Sequence, residues 1–208
     1  MPEIARLKII LDSVEPTVMR RIEVPIDIRL DDLHLTIQMA MPWENYHLYE
    51  FRVGRTLSWG IHDPDLRGFS PDDEPLDAAK ATLADLLDQG GRKTFKYVYD
   101  FGDDWEHSIK VEAIAEGAAD VAYPRLIAAH GACPPEDVGG PWGYADYLEA
   151  IADPKHKRHA EMIEWRGSGF DPAVVEETAI HKRLAALANR LARRKGSSVG
   201  RSRVKRRA

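Results

Sequence analysis

Residues 97–111 read Tyr97-Val98-Tyr99-Asp100-Phe101-Gly102-Asp103-Asp104-Trp105-Glu106-His107-Ser108-Ile109-Lys110-Val111. Two alternating runs are divided by a short acidic connection that contains glycine, the pattern of a β-hairpin. Side chains alternate faces along a strand, so Trp105, His107, Ile109 and Val111 share one face, and it is apolar. His107 is therefore expected to point inward. Asp100, Asp103, Asp104, Trp105, Glu106 and His107 crowd this one hairpin.

Outward from the hairpin, the chain alternates between strand and helix periods. Ile4 to Leu11 predicts a first strand with Ala5, Leu7, Ile9 and Leu11 buried, and Val18 to Val24 a second, limited by Pro25. Leu30, Leu33, Ile37 and Met41 then recur at helical spacing, with Asp31 and Asp32 at the positive end of the helix dipole and Pro42 as the stop. His47, Tyr49, Phe51 and Val53 alternate with polar neighbours, which turns His47 inward or into a cleft at the strand end. Gly60 to Pro75 reads as a loop. Thr82 caps a short helix, Leu83 to Leu87, ended by Gly90-Gly91. The hairpin strands are expected over Thr94–Asp100 and Trp105–Ile114, with a further short strand over Pro124–Ala129.

Cys133 to Gly143 (CPPEDVGGPWG) holds three prolines and three glycines and is expected to be irregular. Three helices are expected after it: Tyr144 to Ala152, one begun by Asp153-Pro154 and running to Trp165, and one begun by Asp171-Pro172 with Ile180, Leu184, Leu187 and Leu191 as its stripe. The fold class is α+β: an antiparallel or mixed sheet, one helix after the first strands, and a helical C-terminal segment packed on the sheet. The expected division is a single domain over 1–192 and a basic, disordered tail over 193–208.

Composition narrows the function classes. The 208 residues suffice for one ample core, and 44% hydrophobic with 30% charged residues is an ordinary globular mix. No apolar run approaches the roughly 18–20 residues a membrane span needs. The N-terminus carries no signal-peptide pattern, and the single cysteine excludes an intrachain disulfide, so a reducing cytoplasm is expected. The net charge of −5 hides an asymmetry: the first 177 residues carry −16 and the remainder +11. An acidic body repels a nucleic-acid duplex. Any nucleic-acid contact would fall to the tail, through Arg193, Arg194, Lys195, Arg201, Arg203, Lys205, Arg206 and Arg207. A solubilising role, or contact between tail and body, is an equally open reading.

Three chemistries fit the polar residues. Divalent metal, zinc first, would find imidazole, thiolate and carboxylate in His47, Asp100, Asp103, His107, Cys133 and Glu136, although no CxxC or HExxH spacing is present. Acid–base catalysis would use Asp104 or Asp100 beside His107, since a carboxylate orients an imidazole and raises its basicity; Cys133 is a candidate nucleophile. Ligand binding, of a basic peptide for example, would use Trp43, Tyr49, Tyr99, Trp105, Trp142 and Tyr144, aromatics interleaved with acids. Against all three stands a structural reading: His47 and His107 as hydrogen-bonded core residues, Cys133 as a small apolar one, Asp103 and Asp104 as turn formers.

LHLTIQMAMPWENYHLYEF from Leu33, YDFGDDWEH from Tyr99 and ACPPEDVGGPWGY from Ala132 together resemble the plasmid pRiA4b ORF-three-like proteins. The resemblance runs from about Ile4 to Leu187 and leaves out the basic tail. It departs at Pro42, where the family often has glycine before the tryptophan. It implies a mixed α+β fold and an association with bacterial plasmids, transposons and chromosomes. It implies no reaction. A resolvase label attached to some members finds no serine-recombinase motif here. The expected function is that of a cytosolic binding or accessory protein with a His/Asp/Cys/aromatic pocket. The alternatives are a metal-dependent, hydrolase-like enzyme using that pocket and a nucleic-acid accessory protein using the tail.

Overall fold

The computed structural model describes residues 1–61 and 75–205, those after Arg194 by backbone alone. The elements run β1 (Glu3–Leu11), β2 (Val18–Pro25), α1 (Leu30–Ala40), β3 (Tyr49–Val53), β4 (Leu57–Gly60), β5 (Leu76–Asp77), α2 (Leu83–Gly90), β6 (Thr94–Tyr99), β7 (Trp105–Glu116), β8 (Arg125–His130), α3 (Gly140–Ala152), α4 (His159–Arg166) and α5 (Glu177–Lys205). The strands form one sheet in the order β5-β4-β3-β6-β7-β1-β2-β8. Every pairing is antiparallel except β4 with β5, so the sheet is mixed and the fold is α+β. The expected hairpin is β6–β7, with Tyr97 opposite His107 and Tyr99 opposite Trp105.

The two faces of the sheet differ because the strands alternate. Ala5, Leu7, Ile9 and Leu11 of β1, Phe51 of β3, Tyr97 and Tyr99 of β6, and Trp105, His107 and Ile109 of β7 are all buried on one face. The helices α1 and α5 pack against each other, and Leu33 and Ile37 join Ile180 and Leu184 in the same core. The other face is polar and laced with ion pairs: Arg6 and Arg125 both to Glu23, Arg21 to Glu112, and Lys96 to Asp12 and Glu106. No helix among the described residues is long and apolar enough to cross a membrane.

Boundaries differ from expectation where a local signal was satisfied without propagating. Asp153 and Asp171 accept the N–H groups of Lys155 and Ala173 at 2.9 and 2.8 Å, yet α4 starts only at His159 and α5 only at Glu177. Each aspartate closes a turn before proline rather than launching a helix. Conversely, α3 begins at Gly140, inside the stretch expected to be irregular, with Pro141 in its first turn. The strands β4 and β5 were not expected; their runs of four and two residues are too short to show a period. Of the loop expected over 60–75, residues 62–74 lie outside the described residues. The α5 backbone continues to Lys205, past the expected helix end. The disorder expected of 193–208 concerns residues whose side chains, from Lys195 on, lie outside the description, as do Arg206 and Arg207 entirely.

Candidate functional site

The site is built where three segments meet over one end of the sheet: the α1–β3 connection, the β6–β7 turn and the loop before α3. The turn is shaped by its aspartates. Asp100 (φ 57°) and Asp104 (φ 53°) both take the left-handed conformation. The Asp104 N–H donates to the Asp100 carbonyl at 2.6 Å, and the Gly102 N–H to Asp100 Oδ1 at 2.9 Å. Aspartate tolerates this backbone better than most residues because its short side chain bonds locally. Asp103 then reaches across: its Oδ2 accepts the Gly139 N–H at 3.1 Å. The approach is close enough that a Cβ on Gly140 (φ 68°) would sit 2.4 Å from the Asp103 carbonyl oxygen.

Glu136 ties the other two segments together. Its carboxylate accepts the Tyr99 hydroxyl and, at 2.7 Å, the Glu44 N–H. The Tyr99 oxygen in turn accepts the Tyr46 N–H at 3.1 Å. Burial, then the adjacent Glu136 carboxylate, pushes the Tyr99 hydroxyl well above its ordinary pKa, so it stays protonated as a donor. Trp43 is buried beneath this strap. Its indole N–H donates to the Pro134 carbonyl at 3.0 Å, and its ring stacks on Tyr99 at 5.1 Å and meets the His107 ring edge-on at 5.4 Å.

His47 lies at the rim, a third exposed. Its Nε2 is 3.0 Å from Asp137 and 3.5 Å from Asp100. These three groups place one ligand atom each within 4.8 Å of one another, the one such cluster among the described residues. Asp137 is also left-handed, at φ 60°. Two ligands on one first-row ion with bonds of about 2.1 Å stand at most about 4.2 Å apart. Both contacts of His47 satisfy that. One nitrogen and two oxygens suit a divalent ion that tolerates hard ligands, with positions left for water.

The other expected metal residues stand elsewhere. His107 is fully buried; its Nδ1 donates toward the carbonyls of Trp105 and Tyr97 at 3.0 and 3.2 Å, and its Nε2 has no partner. Burial drives its pKa down to about 4, so it is a neutral core histidine. Asp104 is exposed and makes no bond to it, so the expected Asp104–His107 acid–base pair is not formed. His47 precedes β3, and the Trp43 and Tyr99 rings lie between it and His107. Asp103 is spent on Gly139 and Glu136 on the strap. Cys133 is outside that cluster, beside Arg20, and burial raises its thiol to about 12. Zinc with a thiolate ligand at this site is therefore not what the geometry offers.

Among the expected ligand-binding aromatics, Tyr99, Trp105 and Tyr144 are fully buried and Trp43 and Tyr49 nearly so, while Trp142 is 89% exposed. The open cleft lies on the far side of the Pro134–Glu136 loop. It holds about 380 Å³ and is lined by Trp43, Glu44, Cys133, Glu136, Arg166 and Phe170, with Asp171 and Glu176 at its edge. Arg20 closes its base. That guanidinium is 1% exposed and donates to the carbonyls of Ala40, Met19, His130 and Gly131.

Two residues that sequence reasoning passed over complete the site. Asp137 lies one position beyond Glu136, in a loop where nothing in the sequence separates one carboxylate from the next. His34 was legible: it stands four residues after Leu30 and three before Ile37, on the apolar stripe of α1. It is buried, stacked on Tyr49 at 3.6 Å, and sits in a directed chain. Gln38 Nε2 donates to Tyr97 at 3.1 Å, Tyr97 donates to His34 Nδ1 at 2.7 Å, and His34 Nε2 donates to Asn45. Burial lowers its pKa to about 4, against the raising effect of Asn45. In the tail, Arg194 pairs with the buried carboxylate of Asp32 at the start of α1.

The chain matches the family model described as Plasmid pRiA4b ORF-3-like protein over residues 3–179. It is 48% identical over 192 residues to "Uncharacterized protein y4hQ" of Sinorhizobium fredii (strain NBRC 101917 / NGR234), covering 92% of this chain and 95% of that protein. A crystal structure titled as a protein of unknown function, MM3350 from Methanosarcina mazei Go1, superposes with a TM-score of 0.75 at 33% identity, covering 86% of this chain and 97% of that one. Three sequence motifs, the sheet and the site segments thus agree with the match to the family model, and the chain belongs to the plasmid pRiA4b ORF-3-like family.

Proposed function

We propose that this is a cytoplasmic binding or accessory protein, one domain over 1–192 with a basic tail, serving plasmid- or transposon-linked processes. Its ligand is a cationic or amide-bearing segment such as a basic peptide. The observation that carries this reading is the cleft beside the Pro134–Glu136 loop, where Trp43 and Phe170 stand with Glu44, Glu136, Asp171 and Glu176. Arg20, at its base, is already satisfied by four carbonyls, and the four carboxylates outnumber the other lining cation, Arg166. A lysine or arginine side chain entering there meets carboxylates beside the half-buried Phe170 ring. The acidic body draws such ligands from a distance. Fluorescence anisotropy with labelled oligo-lysine and oligo-arginine peptides tests it. Glu44→Gln/Glu176→Gln, both at exposed positions, should weaken binding at least about tenfold. Equal affinity in wild type and variant, or no binding at all, refutes the cleft.

A second reading, a metal-dependent hydrolase-like enzyme, is favoured by the convergence of His47, Asp100 and Asp137. Those residues would hold a divalent ion that activates water. Metal content by mass spectrometry, on protein purified without chelators, should then be near stoichiometric and fall in His47→Ala. Metal-free wild type that also takes up none on addition would sink it. The pairing of Arg194 with Asp32 favours tail–body contact over a nucleic-acid role for the tail.

A further inference from the structure

We propose that the polar face of the sheet carries an anion site for a small phosphate-bearing ligand, separate from the acidic cleft. A groove of about 430 Å³ runs there over β3, β6, β7 and β1. Lys8, Arg52, Arg92, Lys96 and Lys110 line it, over a floor that includes Ile10, with Thr94 supplying a hydroxyl; the Ser108 hydroxyl is donated to Asp12. Five cations in one groove run against the composition of a body that carries −16 over its first 177 residues.

The placement is costly for the fold. Lys8 and Lys110 are directly opposite in the β1–β7 register, and Arg52 is opposite Lys96 between β3 and β6. Like charges directly opposite destabilise an antiparallel pair. Lysines on edge strands are explained by protection against unwanted pairing. Here β6, β7 and β1 are the central strands, with β5 and β8 at the edges, so that explanation does not apply. Internal neutralisation is partial. Lys96 is held by Asp12 and Glu106, and Arg52 by Glu50. Lys8, Arg92 and Lys110 make no ion pair or side-chain hydrogen bond among the described residues.

The lining selects the ligand. Three uncommitted cations on a groove of this size suit a multiply charged anion of nucleotide dimensions. Lysine supplies point charges with rotatable donors, which fit phosphate without a fixed approach. A nucleic-acid strand is disfavoured, because such sites add exposed aromatic rings on which bases stack, and the one aromatic lining the groove, Phe95, is buried.

The test titrates the full chain with pyrophosphate and with adenosine triphosphate by calorimetry at low salt, and with a thymidine oligonucleotide as the third probe. Wild type is compared with Lys8→Gln/Lys110→Gln and with Arg92→Gln. Pyrophosphate and the nucleotide should bind, and both variants should lose about tenfold or more in affinity. The double variant should also melt higher than wild type without ligand, since the opposed charges are gone. That rise separates lost binding from lost folding. No binding of either small anion, or binding unchanged in both variants, overturns the proposal. So does binding of the oligonucleotide alone, which would give the groove to a strand.

Discussion

Acidification between pH 6.5 and 5 should destabilise this fold through His34 and His107 before most carboxylates begin to titrate. Both imidazoles are buried, and burial lowers each pKa from 6.5 to about 4. A group held neutral in the fold but free to protonate when unfolded binds more protons in the unfolded state, so stability rises with pH over that window. Well above pH 6.5 neither form is protonated and nothing is lost. As pH falls from about 6.5 toward 4, each histidine costs up to about 3 kcal/mol. The two together rival the whole net stability of a typical domain, roughly 5–15 kcal/mol. The steepest slope is about 3 kcal/mol per pH unit for two protons, and about half that for one. Carboxylates with lowered pKa, such as Glu112 hydrogen-bonded to Arg21, lose their contribution only below their unfolded value of 4.5. Urea denaturation followed by tryptophan fluorescence at half-unit steps from pH 5 to 7.5 measures the slope. His107→Leu and His34→Gln should each remove about half of it, whatever they do to stability at pH 7.5. A wild-type slope near zero over this window, or slopes unchanged in both variants, would refute the assignment of neutral core histidines.

Three further substitutions probe the joints around the site. Arg20→Met should destabilise by about 3–5 kcal/mol in urea denaturation, because it strips four main-chain carbonyls of their buried donor. Gly140→Ala should cost well over 1 kcal/mol from left-handed strain plus collision with Asp103, roughly the strain alone being expected of Gly54→Ala, whose site is open. The difference between the two melting-temperature shifts reports the close approach of α3 to the hairpin turn. Thr82→Ala removes the capping box with Asp85 at the start of α2 and should cost about 1 kcal/mol, read by the same melts.

The sheet was legible wherever the period held for five residues or more. From Ala5 to Leu11 in β1 and from Trp105 to Val111 in β7 the buried set is the alternating set, and the β6–β7 hairpin stands where glycine and the aspartates put it. What escaped was decided by partners rather than by pattern. The strand β4 is four residues long and exists because β3 lies beside it, with Phe51 opposite Trp59. The aspartates before Pro154 and Pro172 carry a helix-start signature that each satisfies with one hydrogen bond while the chain turns away. Arg20 shares its parity with Val18, Ile22 and Val24 in β2, so its position on the inner face was readable. Its burial with four carbonyl acceptors was not, because those acceptors come from three separate places in the chain.

The site shows the same division more sharply. His107 was expected on the inner face and His47 inward or in a cleft at the strand end; they differ in what covers them. His107 lies mid-layer under the Trp43 ring, sealed and uncharged. His47 stands beyond the strand end, where the sheet no longer supplies a roof, and the loop after Glu136 brings Asp137 to it. Strand parity tells which face a histidine takes; only the position of the strand end and the path of the next loop tell whether solvent and ligand reach it. In this chain that difference turns on the strap through Glu136. Its carboxylate holds the Tyr99 hydroxyl and the Glu44 N–H, folding Trp43 over His107 and leaving His47 outside. Glu136, a metal-ligand candidate in the sequence, is in the structure the strap that separates a core histidine from a surface one.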